Sequence, residues 1–218
     1  MVCLPRPPCS HAKPFFISDG GGVIDRSSKR VSVTPEMKSL FAIDDDEIVP
    51  DDLIKCILKS EVDMIWNGGI GTFIKSTDEE HARVGDHAND FIRVNASEVN
   101  AKIICEGGNL GLTQLARVEY ALNGGQVNTD FIDNSAGVDC SDHEVNIKIA
   151  LNSVIESGEI SVKRRNDLLK KMTDEVAELV LFNNFEQSRL ISQTLYSSSY
   201  YMSLYINFIS YYERHGLL

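Results

Sequence analysis

No stretch of the 218-residue chain approaches the roughly 20 consecutive apolar residues that a membrane-spanning helix requires. Basic residues are few, 21 Lys and Arg against 32 Asp and Glu, for a formal net charge of −11. That balance argues against binding a nucleic-acid phosphate backbone. The five cysteines include no C-x-x-C pair and are odd in number. A disulfide framework and a zinc site are therefore disfavoured, and reduced thiols in a cytoplasmic protein are expected. The opening, Met1-Val-Cys-Leu-Pro-Arg-Pro-Pro-Cys9, has no apolar core and is not read as a signal peptide. No G-x-S-x-G, H-E-x-x-H, G-x-G-x-x-G or Walker-type loop is present, so hydrolase and metalloprotease chemistry find no footing.

What is present is the composition of a globular protein, 43% hydrophobic and 24% charged. Residues 1–14 read as an irregular start. Six acids crowd into Asp44, Asp45, Asp46, Glu47, Asp51 and Asp52; with no ligand spacing among them, they read as a solvated loop and the start of a helix. Thr34-Pro35-Glu36 carries an N-cap, a first-turn proline and an acid, and so predicts a helix. A second helix is predicted over about Asp51 to Ser60, with Leu53, Ile54, Ile57 and Leu58 on one face.

Three short apolar runs follow, each stopping at glycine or asparagine. Val62–Trp66 stops at Asn67-Gly68-Gly69, and Lys102–Cys105 at Glu106-Gly107-Gly108-Asn109. A third, near Thr129–Ile132, stops at Asp133-Asn134-Ser135-Ala136-Gly137. Helices are predicted after the second run, from Thr113 to Asn123, and after the third, from Ser141 to about Glu156. In the latter, Ser141 and Glu144 form a capping box. Strands alternating with helices imply a parallel sheet, with ligands outside the carboxyl ends of its strands. From Ser161 onward the pattern is helical only. Tyr201, Leu204, Tyr205, Phe208 and Tyr211 fall on one helical face, an aromatic stripe that predicts self-association.

The segment from Asp63 to Leu151 resembles the coenzyme domain of the large bacterial NAD-specific glutamate dehydrogenases. The resemblance is carried by W-N-G-G-I-G-T at residues 66–72, G-D-H-A-N-D at 85–90, E-G-G-N-L-G-L-T-Q at 106–114 and the long run Asn128–Lys148. It implies an incomplete doubly wound, Rossmann-like α/β domain over residues 15–158, followed by a truncated helical region over 159–218. It also implies NAD as cofactor and L-glutamate and 2-oxoglutarate as ligands, with a homo-oligomer for the parent enzyme. By a more distant resemblance to the small glutamate dehydrogenases, Asn109 would lie by the nicotinamide ribose, Asn134 by the carboxamide and Ser141 by the substrate's side-chain carboxylate. Asn67, Gly68 and Gly69 would line the dinucleotide. Catalytic proton-transfer groups and the glycine-rich pyrophosphate turn belong, by the same resemblance, upstream of anything present. The chain would then be a fragment that complements an upstream piece, or a non-catalytic remnant.

Overall fold

The computed structural model describes residues 17–217. The irregular start expected over residues 1–14, with Cys3, Cys9 and His11, lies outside the described residues. Two compact units meet in the sequence, one ending at Asp133 and the other beginning at Asn134.

The first unit opens with an antiparallel pair, β1 (Val31–Ser32) and β2 (Glu47–Ile48). Helix α1 (Pro35–Phe41) lies between them, and α2 (Pro50–Lys59) follows. Thr34 caps α1 as the sequence predicts: its hydroxyl accepts from the Met37 N–H at 3.2 Å and donates to the Gly20 carbonyl at 2.9 Å. Met37, Ile43 and Leu53 bury between the two helices. The acidic run divides as expected. Asp46 pairs with Lys38 at 2.7 Å in the turn before β2, and Asp51 and Asp52 occupy the first turn of α2, where carboxylates complement the helix dipole.

The largest sheet is parallel and three-stranded: β3 (Met64–Asn67), β6 (Ile103–Glu106) and β7 (Gln126–Val127), in the order β3-β6-β7. A second parallel pair, β4 (Ile74–Lys75) with β5 (Val94–Asn95), forms its own sheet, and an isolated parallel bridge joins Ile74 to Leu112 in the segment between β6 and the next helix. The short helix α3 (His81–Val84) lies between these two strands. Helix α4 (Gln114–Leu122) connects β6 to β7, capped by Thr113 and stopped before Gly124 at φ +92°, as its sequence requires. Its inward face carries Ala116 and Tyr120 into a core with Ile74, Val94, Ile104 and Leu112.

The third strand differs from expectation. It is the two-residue β7, and Asp130–Asp133 forms a helical turn, α5. The apolar pair Phe131-Ile132 is not a buried strand, since Phe131 is 64% exposed. The flanking aspartates set the local structure by reaching backbone amides: Asp130 caps its neighbour Phe131 and also reaches Leu110, and Asp133 reaches Glu106.

In the second unit, α6 (Ser135–Glu156) and α7 (Val162–Arg214) pack side by side. Contacts from Asn183 to Asp139 and from Arg165 to Asn152 show them running antiparallel. Gly158, at φ +80°, ends the first helix, and the Ser161 hydroxyl caps the second. Helix α6 begins six residues before the expected start, so Ser141 lies in its interior and does not cap it. Glu144 pairs with Lys148 and not with the helix start, while the actual first turn is held by Asn184, whose side chain donates to the Ser135 hydroxyl at 2.8 Å.

Between β4 and α4, Glu119 accepts from the Ser76 hydroxyl at 2.6 Å and from the Thr77 amide and hydroxyl at 2.7 and 2.6 Å. Burial raises this carboxyl, but the hydrogen bonds outweigh it and bring its pKa down from 4.5 to about 2. A depressed carboxyl contributes stability that is complete above its unfolded value and is lost as pH falls through the folded one. Glu119→Gln should therefore lower stability at neutral pH by about 1–2 kcal/mol. It should also flatten the loss of thermal midpoint between pH 4.5 and about 2. Parallel pH profiles for the two proteins would refute this linkage.

From Leu190 to Tyr212 helix α7 carries no charged residue, and Leu195, Tyr200, Leu204 and Phe208 are 59–82% exposed. Among the described residues no helix is long and apolar enough to cross a membrane. Burying one large apolar side chain is worth ~1.5–3 kcal/mol, so this surface should drive association. Light scattering should show self-association of the whole chain and a shift toward monomer after deletion of residues 195–218. A monodisperse whole chain would reject the expectation.

Candidate functional site

Strands β3 and β6 end in register, Asn67 beside Glu106. The loops leaving them touch. The Gly107 N–H donates to the Asn67 carbonyl at 2.9 Å, and the Asn67 side-chain oxygen accepts from Gly69 N–H at 3.4 Å. The indole of Trp66 lies over Gly107. A side chain on Gly108 would come within 2.8 Å of the Gly69 carbonyl, and one on Gly111 within 1.9 Å of the Asn67 amide nitrogen. The backbone approach of one loop to the other therefore requires glycine at 108, while a side chain at 111 would have to displace the Asn67 amide. Gly69 differs: nothing but the Asn67 side chain, at 3.9 Å, approaches the place of its missing Cβ.

Two arginine-centred clusters fix the loops. Around the first loop, Arg93, whose side chain is fully buried, donates to the Thr72 carbonyl at 2.8 Å, the Asp86 carbonyl at 2.6 Å and the Asp90 carboxylate at 2.6 Å. Asp86 in turn accepts from Thr72 N–H at 2.8 Å and the Asn89 amide at 2.6 Å. These hydrogen bonds, from Asn89 foremost, hold its carboxyl below the usual range. The G-D-H-A-N-D run is thus a staple on the chain that follows β3.

Around the second loop, Glu106 is fully buried and pairs with Arg117 at 2.7 Å. Its other oxygen accepts from Gly111 N–H at 3.2 Å. Burial pushes the Glu106 carboxyl up, against the opposing pull of Arg117 and the Gly111 amide. Arg117 also donates to the Asn128 carbonyl at 2.7 Å, joining the loop to the segment after β7. Asp130, buried, accepts from Leu110 N–H at 2.9 Å, and Asp133 from Glu106 N–H at 3.0 Å. Glu106, Arg117, Asp130 and Arg93 hold the two loops, a role that the motif reading passed over. Arg117 carried a usable signal: it lies on the inward stripe of α4 with Tyr120, where a charge must find a partner.

A cavity of about 360 Å³ opens beside these strand ends, lined by Ile57, Ile65, Trp66, Asn67, Phe73 and Leu112 among others. Its walls are mainly apolar, with the Asn67 amide as a polar group, as small-molecule sites commonly are. Among the described residues no cluster of His, Cys, Asp and Glu could hold a metal ion. Cys56, Cys105 and Cys140 are free thiols.

A model of the family described as "Bacterial NAD-glutamate dehydrogenase, catalytic domain" matches residues 3–194. The chain belongs to this family. It is similar to NAD-specific glutamate dehydrogenases of Pseudomonas aeruginosa (56% identity, 87% of this chain), Halomonas elongata (48%, 98%) and Mycobacterium tuberculosis (50%, 88%). It spans only 12–13% of the length of these curated relatives.

Within the chain the first unit brings together Asn67, Gly68, Gly69 and Asn109 on the two touching loops. Asn134 and Ser141 belong to the second unit, at the start and in the interior of α6. Asn134 is the N-cap residue just outside the helix, and Ser141 lies about two turns into it. His143 instead pairs with Asp139 at 3.5 Å, and Asp139 accepts from Asn183 of α7 at 2.8 Å. With its capping role removed, Ser141 matters little to the fold. Ser141→Ala should change stability by no more than about 0.5 kcal/mol, in the stabilising direction. In urea melts, a loss of about 1 kcal/mol or more would restore the capping reading.

Proposed function

We propose that the chain supplies the nicotinamide side of the coenzyme cleft in an NAD-dependent oxidative deamination of L-glutamate to 2-oxoglutarate and ammonia. The observation that carries this reading is the contact between two Gly/Asn loops at the carboxyl ends of adjacent parallel strands, where open α/β sheets receive their ligands. The surroundings fit a dinucleotide: Gly69 has no side chain to bar close approach, and Asn67 faces an apolar cavity. Asn67, Gly68, Gly69 and Asn109 would line the dinucleotide, with Asn109 by the ribose. Asn134 would read the carboxamide, whose paired donor and acceptor an asparagine amide matches. The Ser141 hydroxyl would donate to the substrate's side-chain carboxylate. When bound, NAD supplies the hydride acceptor, and the protein supplies orientation.

None of these site residues can take the proton that the reaction releases. Glu106 is buried and paired with Arg117, so it is not available as a base. This favours a chain that works with further polypeptide, such as the upstream segment of the same enzyme. The purified chain should therefore produce no NADH from glutamate and NAD, and measurable turnover by it alone would overturn the proposal's division of labour. Combined with a polypeptide that restores turnover, Asn134→Ala should lower kcat and cofactor affinity together. Ser141→Ala should raise the KM for glutamate roughly tenfold or more, as loss of a hydrogen bond to a charged group implies. Unchanged glutamate kinetics would remove Ser141 from the site.

A further inference from the structure

The loop that bears Asn109 contains one backbone conformation its sequence does not favour. Leu110 stands at φ +65°, in the left-handed region, where a leucine is strained and glycine is the usual occupant. Burial does not compensate it, since Leu110 is 62% exposed. What holds it is visible on both sides. The buried carboxylate of Asp130 accepts from the Leu110 N–H at 2.9 Å, and the buried carboxylate of Glu106 accepts from the next amide, Gly111, at 3.2 Å. At the other end the Asn67 carbonyl takes the Gly107 N–H at 2.9 Å. A strained residue maintained by buried charges next to an exposed polar side chain is the signature of a preorganised contact.

We infer that Asp130 and Glu106 are positioning residues for Asn109: their carboxylates hold the Gly107–Gly111 loop with Leu110 locked in the left-handed conformation, so that Asn109 is already in place at the strand end when a coenzyme arrives. The inference rests on the proposal above that Asn109 faces the dinucleotide. Neither carboxylate touches the ligand; both act through backbone amides. Arg117 fixes the Glu106 carboxylate by its 2.7 Å ion pair, and the Asn128 carbonyl fixes Arg117. The strained loop is thereby tied to β7 and α5 as well as to its own strand.

The test uses the full chain and NADH as the probe. Trp66 is the chain's one tryptophan and its ring lies over Gly107, so energy transfer from it to NADH reports binding at this loop. Amide hydrogen exchange at Leu110 and Gly111 reports the loop itself. Asp130→Ala should speed exchange at Leu110 and weaken NADH by about tenfold or more, the usual loss for a hydrogen bond to a charged group. Asp130→Asn keeps only one of the two acceptor oxygens that take the Leu110 and Phe131 N–H groups, and should fall between wild type and Asp130→Ala on both readouts. Leu110→Gly separates positioning from mere stability. It relieves the left-handed strain and so should raise the thermal midpoint, yet it frees the loop and should weaken NADH binding. Wild-type exchange at Leu110 in Asp130→Ala, or wild-type NADH affinity in Leu110→Gly, overturns the inference. Because the chain carries no G-x-G-x-x-G turn, NADH binding too weak to read in the wild-type chain alone is compatible with the proposed coenzyme site, which is then judged by Asn134→Ala in the complemented enzyme. The exchange rates then still decide whether the carboxylates hold the loop.

Discussion

The buried ion pair between Arg117 and Glu106 is the constraint on which the site depends. It joins the carboxyl end of β6, the inward face of α4 and, through the Asn128 carbonyl, the segment leaving β7. Such a pair is a poor source of net stability, because removing two charges from water costs several kcal/mol per ion before their attraction is counted. Breaking one side of it is far worse, at about 3–5 kcal/mol. An apolar pair could close the same space with no such penalty, but it could not accept the Gly111 N–H. The pair is therefore better understood as fixing one geometry for a loop than as holding the domain together.

The same logic recurs on the neighbouring loop. Arg93 gathers the Thr72 and Asp86 carbonyls and the Asp90 carboxylate, and Asp86 returns a bond to Thr72 N–H. Each strand-end loop thus has its own buried arginine, and the loops meet where Gly108 approaches Gly69. Asp86, Asn89, Glu106, Asp130 and Asp133 bond to backbone amides or to one another beneath these loops, where Gly69 and Asn109 are exposed.

What the sequence could reveal followed how local the deciding interaction was. The helix starts at Thr34 and Thr113 were legible because an N-cap bonds an amide three residues away. Strands β3 and β6 were legible from apolar runs that end at glycine and asparagine. The turn at Asp130–Asp133 was not, because its aspartates bond residues 20 and 27 positions earlier, and no window of a dozen residues contains that information. The start of α6 was misplaced for the same reason. Ser141 and Glu144 have the spacing of a capping box, yet the first turn is anchored at Ser135 by Asn184, 49 residues downstream. The site residues came from family resemblance, and the carboxylates beneath them only from the packing.

The extension of α6 to Ser135 changes what its two candidate contacts can do. Were Ser141 a cap and Asn134 part of a preceding loop, their separation could vary. With Asn134 as the N-cap of one continuous helix and Ser141 about two turns into it, they are separated by about 10 Å along its axis. On the proposed reading one of them meets the carboxamide of the nicotinamide and the other the side-chain carboxylate of glutamate, which lie at opposite ends of the reacting pair. A rigid helix that grips both ends sets the distance between them without any group at the centre. Proximity of that kind is a large catalytic term in its own right, since it replaces a bimolecular encounter by an oriented one. On the same reading, the chain's part in hydride transfer would be to hold the two reactants in line, with proton transfer left to other groups.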